Sequence, residues 1–304
     1  MNIIIIIIIL VIIYIIYDDI YVEYFQNVHV DIGNYLSDYY YNLVISILKQ
    51  EDFNYKTSTV VFIKDLPTYI PFNNLIYDEF QKHNITFDQL QLKYINKDGT
   101  WFWILNEKFN ETINFIMKNT MNRIIKDALI KNNFLKKENI PIIHFRCADT
   151  PFNHHKHYHF QKYEYFKVIL DNLNTKYNDI ILLSCNTHGH KSNDNISSCN
   201  IYANKIKEYL QKLNYNIHIK CDTNMEDFAR LFWAPVVIST TSSFSFMAGF
   251  FGEGDYYQPS MLEHNNSLCP DCKSYNIHGY SIEHDKINNY HDTDRVFLLL
   301  NQQK

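Results

Sequence analysis

Two short segments carry the residue types that bind or transfer charged groups. The first is His144-Phe145-Arg146-Cys147-Ala148-Asp149, at the end of the apolar run Ile140 to Phe145. In an extended strand His144 and Arg146 point to the same side. A guanidinium there can fork onto two phosphate oxygens, which an ammonium cannot do. Asp149, three residues on, can hold Arg146 or His144, or accept a ligand hydroxyl. The same spacing also suits a structural Arg–Asp pair. The second segment is Ser239-Thr240-Thr241-Ser242-Ser243-Phe244-Ser245-Phe246, between an apolar run and a helical one. The N–H groups and dipole of a helix start favour an anion. An ordinary N-cap uses one hydroxyl; here five stand in a row, Ser239 to Ser243.

Other groupings are simpler. Gly33-Asn34 lies between a strand-like run, Val28 to Ile32, and a helical one, as a turn would. It has neither the GxGxxG of a dinucleotide site nor the GxxxxGK[ST] of a P-loop. Asp222 follows a predicted strand and is a candidate ligand contact. His155, His157 and His159 would share one face if extended, but no acidic or Cys ligand is set beside them. A solvated loop is the expectation there, and no metal. Cys269-Pro-Asp-Cys272 lacks a second CxxC or a well-spaced His pair, so it reads as a short disulfide loop rather than zinc. Asp292-Thr293-Asp294 reads as a solvated loop near the C-terminus. Tyr39-Tyr40-Tyr41 reads as core and rim packing.

The elements that must hold these residues follow from the pattern. Near-continuous apolar runs predict buried strands at Ile140 to Phe145, Asp179 to Cys185 and Pro235 to Thr240, and alternation predicts another strand at Ile217 to Cys221. Helical spacing fills the gaps, at Tyr163 to Leu173, Ile201 to Leu213, Met225 to Trp233 and Ser243 to Phe251. Such alternation predicts an α/β fold with a parallel sheet covered on both faces. Ligands of these sheets sit at the carboxyl ends of strands. Both chemistry-bearing segments fall there. In the first half, Tyr35 to Gln50 and Phe109 to Ile130 read as helices. Thr59 to Ile63 and Trp101 to Leu105 read as strands, and polar Lys131 to Glu138 reads as a boundary.

The 304 residues are 46% hydrophobic and 20% charged, so disorder and collagen-like structure are excluded. A net charge of −5 argues against a protein built to grip nucleic acid. Ile3 to Tyr17 is uncharged and free of Gly and Pro. As a helix it would span about 22 Å, short of a hydrocarbon core of roughly 30 Å unless the flanks or the bilayer adjust. No small-x-small cleavage site follows it. The reading is an uncleaved signal anchor within residues 1–21, with the rest of the chain on the lumenal side. Four N-glycosylation sequons, at Asn84, Asn110, Asn195 and Asn265, permit a secretory location.

Together these segments resemble a known superfamily. His144, Arg146 and Asp149 form an HxRxxD resembling the first motif of the GDP-fucose-dependent fucosyltransferases, the α1,2-, α1,6- and protein O-fucosyltransferase group. Met225-Glu226-Asp227-Phe228 through Val237 to Ala248 is similar to the group's later motif, an acidic helix and a strand running into a Ser-rich helix start. Ile32-Gly33-Asn34 resembles its N-terminal Gly-Asn loop. Order and spacing agree along most of residues 28–251.

The resemblance implies a GT-B fold, two Rossmann-like domains facing a central cleft after the anchor helix. Residues 22–136 would form the acceptor-side domain and residues 137–304 the nucleotide-sugar domain. It implies inverting transfer of fucose from GDP-fucose to a glycan or protein acceptor, without metal or other cofactor. Arg146 would neutralise the leaving diphosphate. Thr241, Ser242, Ser243, Phe244 and Ser245 would bind the donor with Gly33 and Asn34. Asp149 would orient His144 or Arg146, or touch the base or ribose, and Asp222 would contact guanine or ribose. His144 and the cleft acids are candidate general bases. The α1,2 branch has a second Arg and a Gly where this chain has Cys147 and Ala148, and Trp-Trp where it has Phe246-Met247. Acceptor linkage and donor sugar therefore stay open. A transferase using another nucleotide sugar, or a non-catalytic membrane-anchored glycan-binding protein on the same scaffold, is the alternative.

Overall fold

The computed structural model describes residues 32–55, 65–75, 111–135, 138–147, 152, 159–185, 192–259, 274–282, 286–287 and 289–301. The Ile3 to Tyr17 run, Thr59 to Ile63, Trp101 to Leu105, Asp149, His154 to His157, Cys269 and Cys272 lie outside them. Among the described residues no helix is long and apolar enough to cross a membrane.

The first described segment is helix α1 (Ile32–Lys49), followed by a two-stranded hairpin of β1 (Phe53–Asn54) and β2 (Tyr69–Ile70). Helices α2 (Phe72–Leu75) and α3 (Glu111–Lys131) come next. Then β3 (Ile142–His144), β4 (Phe160–Gln161), α4 (Tyr163–Asp171), β5 (Asp179–Leu183), α5 (Asn193–Lys212) and β6 (Asn216–Lys220) follow. The chain continues through α6 (Asn224–Trp233), β7 (Val236–Ser239), α7 (Ser243–Phe250) and β8 (Asp255–Pro259). It ends with β9 (Ser274–Ile277), β10 (Ser281–Ile282) and α8 (Thr293–Leu300).

Six strands make one sheet in the order β6-β5-β3-β7-β8-β9, and every neighbouring pair is parallel. The chain winds outward from β3 through β5 to β6. It then returns past β3 to β7 and winds outward the other way. This is the doubly wound order of nucleotide-binding sheets, and its switch point lies between β3 and β7.

Both faces of β3, β5 and β7 are covered, which is why these strands are apolar without alternation. Ile142, Ile181, Leu183 and Val237 face a core built with α1, α3, α6 and α7. Ile143, Ile180, Leu182, Val236 and Ile238 face a second core built with α4, α5 and α8. Helix α1 buries Leu36, Tyr39, Tyr40, Leu43, Val44 and Ile47, a stripe at three- and four-residue spacing. Each such side chain contributes about 1.5–3 kcal/mol by burial. Tyr39 and Tyr40 are thus core, and Tyr41 is partly buried against it. Leu36 of α1 and Ile125 of α3 share one cluster with Val237 of β7 and Met247 of α7. The described residues on either side of Lys131 to Glu138 therefore meet in a common core.

Three local expectations change. Gly33 and Asn34 are inside the first turn of α1, not in a turn ahead of it. Helix α5 starts at Asn193 rather than Ile201, because the Ser192 hydroxyl caps it by accepting the Asn195 N–H at 3.0 Å. Its polar first turns carry no apolar rhythm to read. Asp292-Thr293-Asp294 is a helix start rather than a loop, for Asp292 Oδ1 accepts the Arg295 N–H at 3.2 Å. Strands β8 and β9, with mixed sequences DYYQP and SYNI, had no legible pattern.

Candidate functional site at the sheet switch point

The register pairs His144 of β3 with Ser239 of β7. One residue further, Thr240 joins the two strand ends. Its N–H and its hydroxyl both donate to the His144 carbonyl, at 3.2 and 3.1 Å. The same hydroxyl accepts the Arg146 N–H at 3.0 Å. This locks the backbone beneath Arg146 to the loop that begins α7, across 94 residues of sequence.

Thr241 then adopts a φ of 70°, the left-handed region that a β-branched side chain rarely enters. Such a conformation costs about 1–3 kcal/mol and persists only where its surroundings impose it. Ser242 follows in extended conformation as the N-cap of α7, with no side-chain capping bond. The helix opens at Ser243. Its first backbone bond runs from the Phe246 N–H to the Ser242 carbonyl at 2.9 Å.

The hydroxyls are not equivalent. Ser239 and Ser245 are fully buried, their oxygens 2.7 Å apart, and the Ser245 hydroxyl also reaches the Ser242 carbonyl at 3.3 Å. Tyr165 of α4 donates to the Ser239 carbonyl at 2.9 Å. The Ser245 hydroxyl is therefore spent on holding the turn. Thr241, Ser242 and Ser243 occupy the turn itself and are largely buried.

Strand alternation sets the side of each residue. Ile143, Phe145 and Cys147 belong to the α4–α5 core. His144 faces the other way, its ring 5.7 Å from that of Phe244, and Arg146 falls on the same side, half-buried. Gly33 arrives there from α1. A Cβ on Gly33 would lie 2.4 Å from the Phe244 nitrogen and from the Ser243 carbonyl carbon, and 2.7 Å from Ser243 Oγ. Only glycine allows two helix starts to approach this closely. The structure thus gathers Gly33, Asn34, His144, Arg146 and Thr241 to Phe244 at the switch point. Asp149 lies outside the described residues.

Asp222 is at the end of β6, further along the same edge. Its Oδ2 is held by the Arg230 guanidinium at 2.5 Å. Arg230 also grips Asp227 Oδ1 at 2.5 Å, and the Asp222 N–H donates to Asp227 Oδ2 at 3.1 Å. Asp227 is 3% exposed. Burial pushes its pKa up to about 6, against the Asp222 N–H and Arg230, which pull it down. Asp222 and Glu226 push it up further. Helix α6 is fixed above this group by a reciprocal capping box between Thr223 and Glu226. Sequence reasoning gave Asp227 no role of its own. The signal was there, since it sits one turn from Leu231 on the buried stripe of α6, next to Phe228.

Two disulfides lie among the described residues, Cys147–Cys199 and Cys185–Cys221. The second ties the ends of β5 and β6 together beside Asp227. Cys185, Cys221 and Asp227 are the one group there whose potential ligand atoms fall within 4.8 Å of each other. With the sulfurs bonded to each other and the carboxylate held by Arg230, the group is not set up as a cation site. His159 precedes β4 and is half-buried, and the remaining histidines of its cluster lie outside the described residues.

Compared with known proteins, the chain matches no family model, no curated protein and no solved structure.

Proposed function

We propose that this protein is a glycosyltransferase, and that the crevice between β3 and β7 holds the diphosphate of a nucleotide-sugar donor. The observation that carries the reading is the junction itself. The switch point of a doubly wound sheet is where such ligands bind, and here Arg146, the α7 start and the α1 start converge on it. The motif resemblance supports GDP-fucose as donor and a glycan or glycoprotein as acceptor. It also supports the finer two-domain GT-B arrangement and a lumenal enzyme anchored by the N-terminal apolar run.

In this reading the glycosidic bond breaks as an acceptor hydroxyl attacks from the opposite face, inverting the anomeric carbon. Negative charge grows on the leaving diphosphate. Arg146 neutralises it, and the backbone at Ser242 to Phe244 donates to it from the positive end of α7. These donors are preorganised: Thr240 fixes the Arg146 backbone, and the Ser239–Ser245 contact fixes the turn. Preorganised donors act where charge develops, so they favour the transition state over the bound substrate. His144, packed against Phe244, is the nearest candidate for moving the acceptor proton. No metal is needed to hold the phosphates.

A thermal-shift series on the purified protein with GDP, GDP-fucose and UDP-sugars tests this. GDP and GDP-fucose should raise the melting temperature, since a ligand at 100 Kd adds about 2.7 kcal/mol. A response to a UDP-sugar alone would change the donor. A melting curve indifferent to every nucleotide would replace the transferase with a glycan-binding protein.

A further inference from the structure

The two disulfides stand in opposite environments. Cys147 and Cys199 are 1% and 0% exposed, sealed in the α4–α5 core. Cys221 is exposed and Cys185 half-exposed among the described residues, at the carboxyl ends of β6 and β5. Cys185 Sγ lies 3.1 Å from Asp227 Oδ2. A disulfide sulfur carries no proton, so this contact is not a hydrogen bond while the bridge is closed. It becomes one when Cys185 is a thiol. The carboxyl is buried, and the charged groups around it are Arg230 and Glu226 on α6 and Asp222 from the β6–α6 loop. Arg230 takes Oδ1, which leaves Oδ2 turned to the sulfur and to the Asp222 N–H.

We propose that Cys185–Cys221 is a thiol-exchange site, entered at Cys221 by a small thiol, with Asp227 as proton donor to the leaving Cys185 sulfur. A thiolate of the glutathione or dithiol class attacks Cys221 Sγ along its exposed side. The S–S bond breaks and its electron pair goes to Cys185 Sγ, which takes the proton of the Asp227 carboxyl. The products are a mixed disulfide on Cys221, a Cys185 thiol and an Asp227 carboxylate that is reprotonated from water. A second thiol then attacks the reagent's own sulfur in the mixed disulfide and releases the Cys221 thiolate. The protein disulfide is reduced by two electrons, and two reagent thiols are oxidised to their disulfide. Low barriers need an accessible sulfur and a stabilised leaving thiol, and this bridge has both. Cys147–Cys199 has neither. Opening the bridge frees the ends of β5 and β6 on the same edge as the candidate donor site, but the exchange itself needs no nucleotide.

The test is reduction of the full chain by glutathione or dithiothreitol between pH 5 and 8, quenched with N-ethylmaleimide and read by peptide mass. Cys185 and Cys221 should be labelled at least tenfold faster than Cys147 and Cys199. Glutathione should be trapped on Cys221. Divided by the reagent's thiolate concentration, the rate should be level in acid and fall as pH rises past the carboxyl's titration. Asp227→Asn should flatten that profile. If this variant does not fold, the wild-type profile decides alone. Equal labelling of both bridges, glutathione trapped on Cys185, or a flat corrected profile in the wild type would overturn the proposal.

Discussion

Replacing Gly33 by Ala tests whether α1 belongs to the site or merely covers the sheet. The added methyl would sit 2.4 Å from the Phe244 nitrogen and the Ser243 carbonyl carbon. Non-bonded carbon contacts settle near 3.5–4.0 Å, so the two helix starts must separate by about 1 Å. Neither partner is a flexible side-chain end; both are backbone at the turn that Thr240 and the Ser239–Ser245 contact hold. Overpacking of this kind costs about 1–3 kcal/mol. Ala recovers up to about 1 kcal/mol through helix propensity. With that recovery in full, the net loss is about 0–2 kcal/mol, a fall in melting temperature of up to a few degrees for a chain of this size. Under the transferase reading, the effect on donor binding should be larger. A hydrogen bond to a charged group is worth about 1.5–3 kcal/mol, or about tenfold to a hundredfold in Kd, and here the displaced groups include the Ser243–Phe244 backbone. Calorimetric titration with GDP, beside a melting curve, separates the two. Wild-type stability together with wild-type GDP affinity would refute the packed junction. A lower melting temperature with unchanged GDP affinity would keep the packing but remove the donor site from α7.

Four further outcomes follow, the first two from the transferase reading and the other two from the geometry. Arg146→Ala should lower kcat/KM tenfold to a hundredfold or more while the protein stays folded, since a hydrogen bond to a charged group is worth about 1.5–3 kcal/mol; turnover of the wild type should persist in EDTA, and both are read in one product assay. Thr240→Val keeps the shape but removes the acceptor of the Arg146 N–H, so it should destabilise by about 1–3 kcal/mol in urea melts. Asp227 binds its proton more tightly folded than unfolded, because its pKa is raised from 3.8 to about 6. Its contribution is therefore greatest in acid and is lost as pH rises from about 4 to about 6, by about 3 kcal/mol at most, a slope that Asp227→Asn should remove from urea melts across that range.

The sheet was legible because a strand buried on both faces has to be apolar along its length, as Ile180 to Leu183 and Val236 to Ile238 are. The edge strand β9 and its neighbour β8 escaped, since Tyr and Asn beside Asp or Ser satisfy no simple period. The turn into α7 announced itself through its hydroxyls. Their division of labour did not, because burial of Ser239 and Ser245 is set by what packs over them, Tyr165 among the rest.

The sequence by itself determined the alternation of strands and helices, and the placing of Arg146 and the Ser-rich turn at strand ends. Both follow from local periodicity and from the conformational preferences of a few adjacent residues. Only the tertiary structure decided that β3 and β7 are neighbours, that Gly33 meets Ser243, and that Cys185 pairs with Cys221 beside a buried Asp227. These contacts join residues far apart along the chain. They arise from the order in which the sheet is wound and from the closeness that a missing Cβ permits, and no local pattern encodes either.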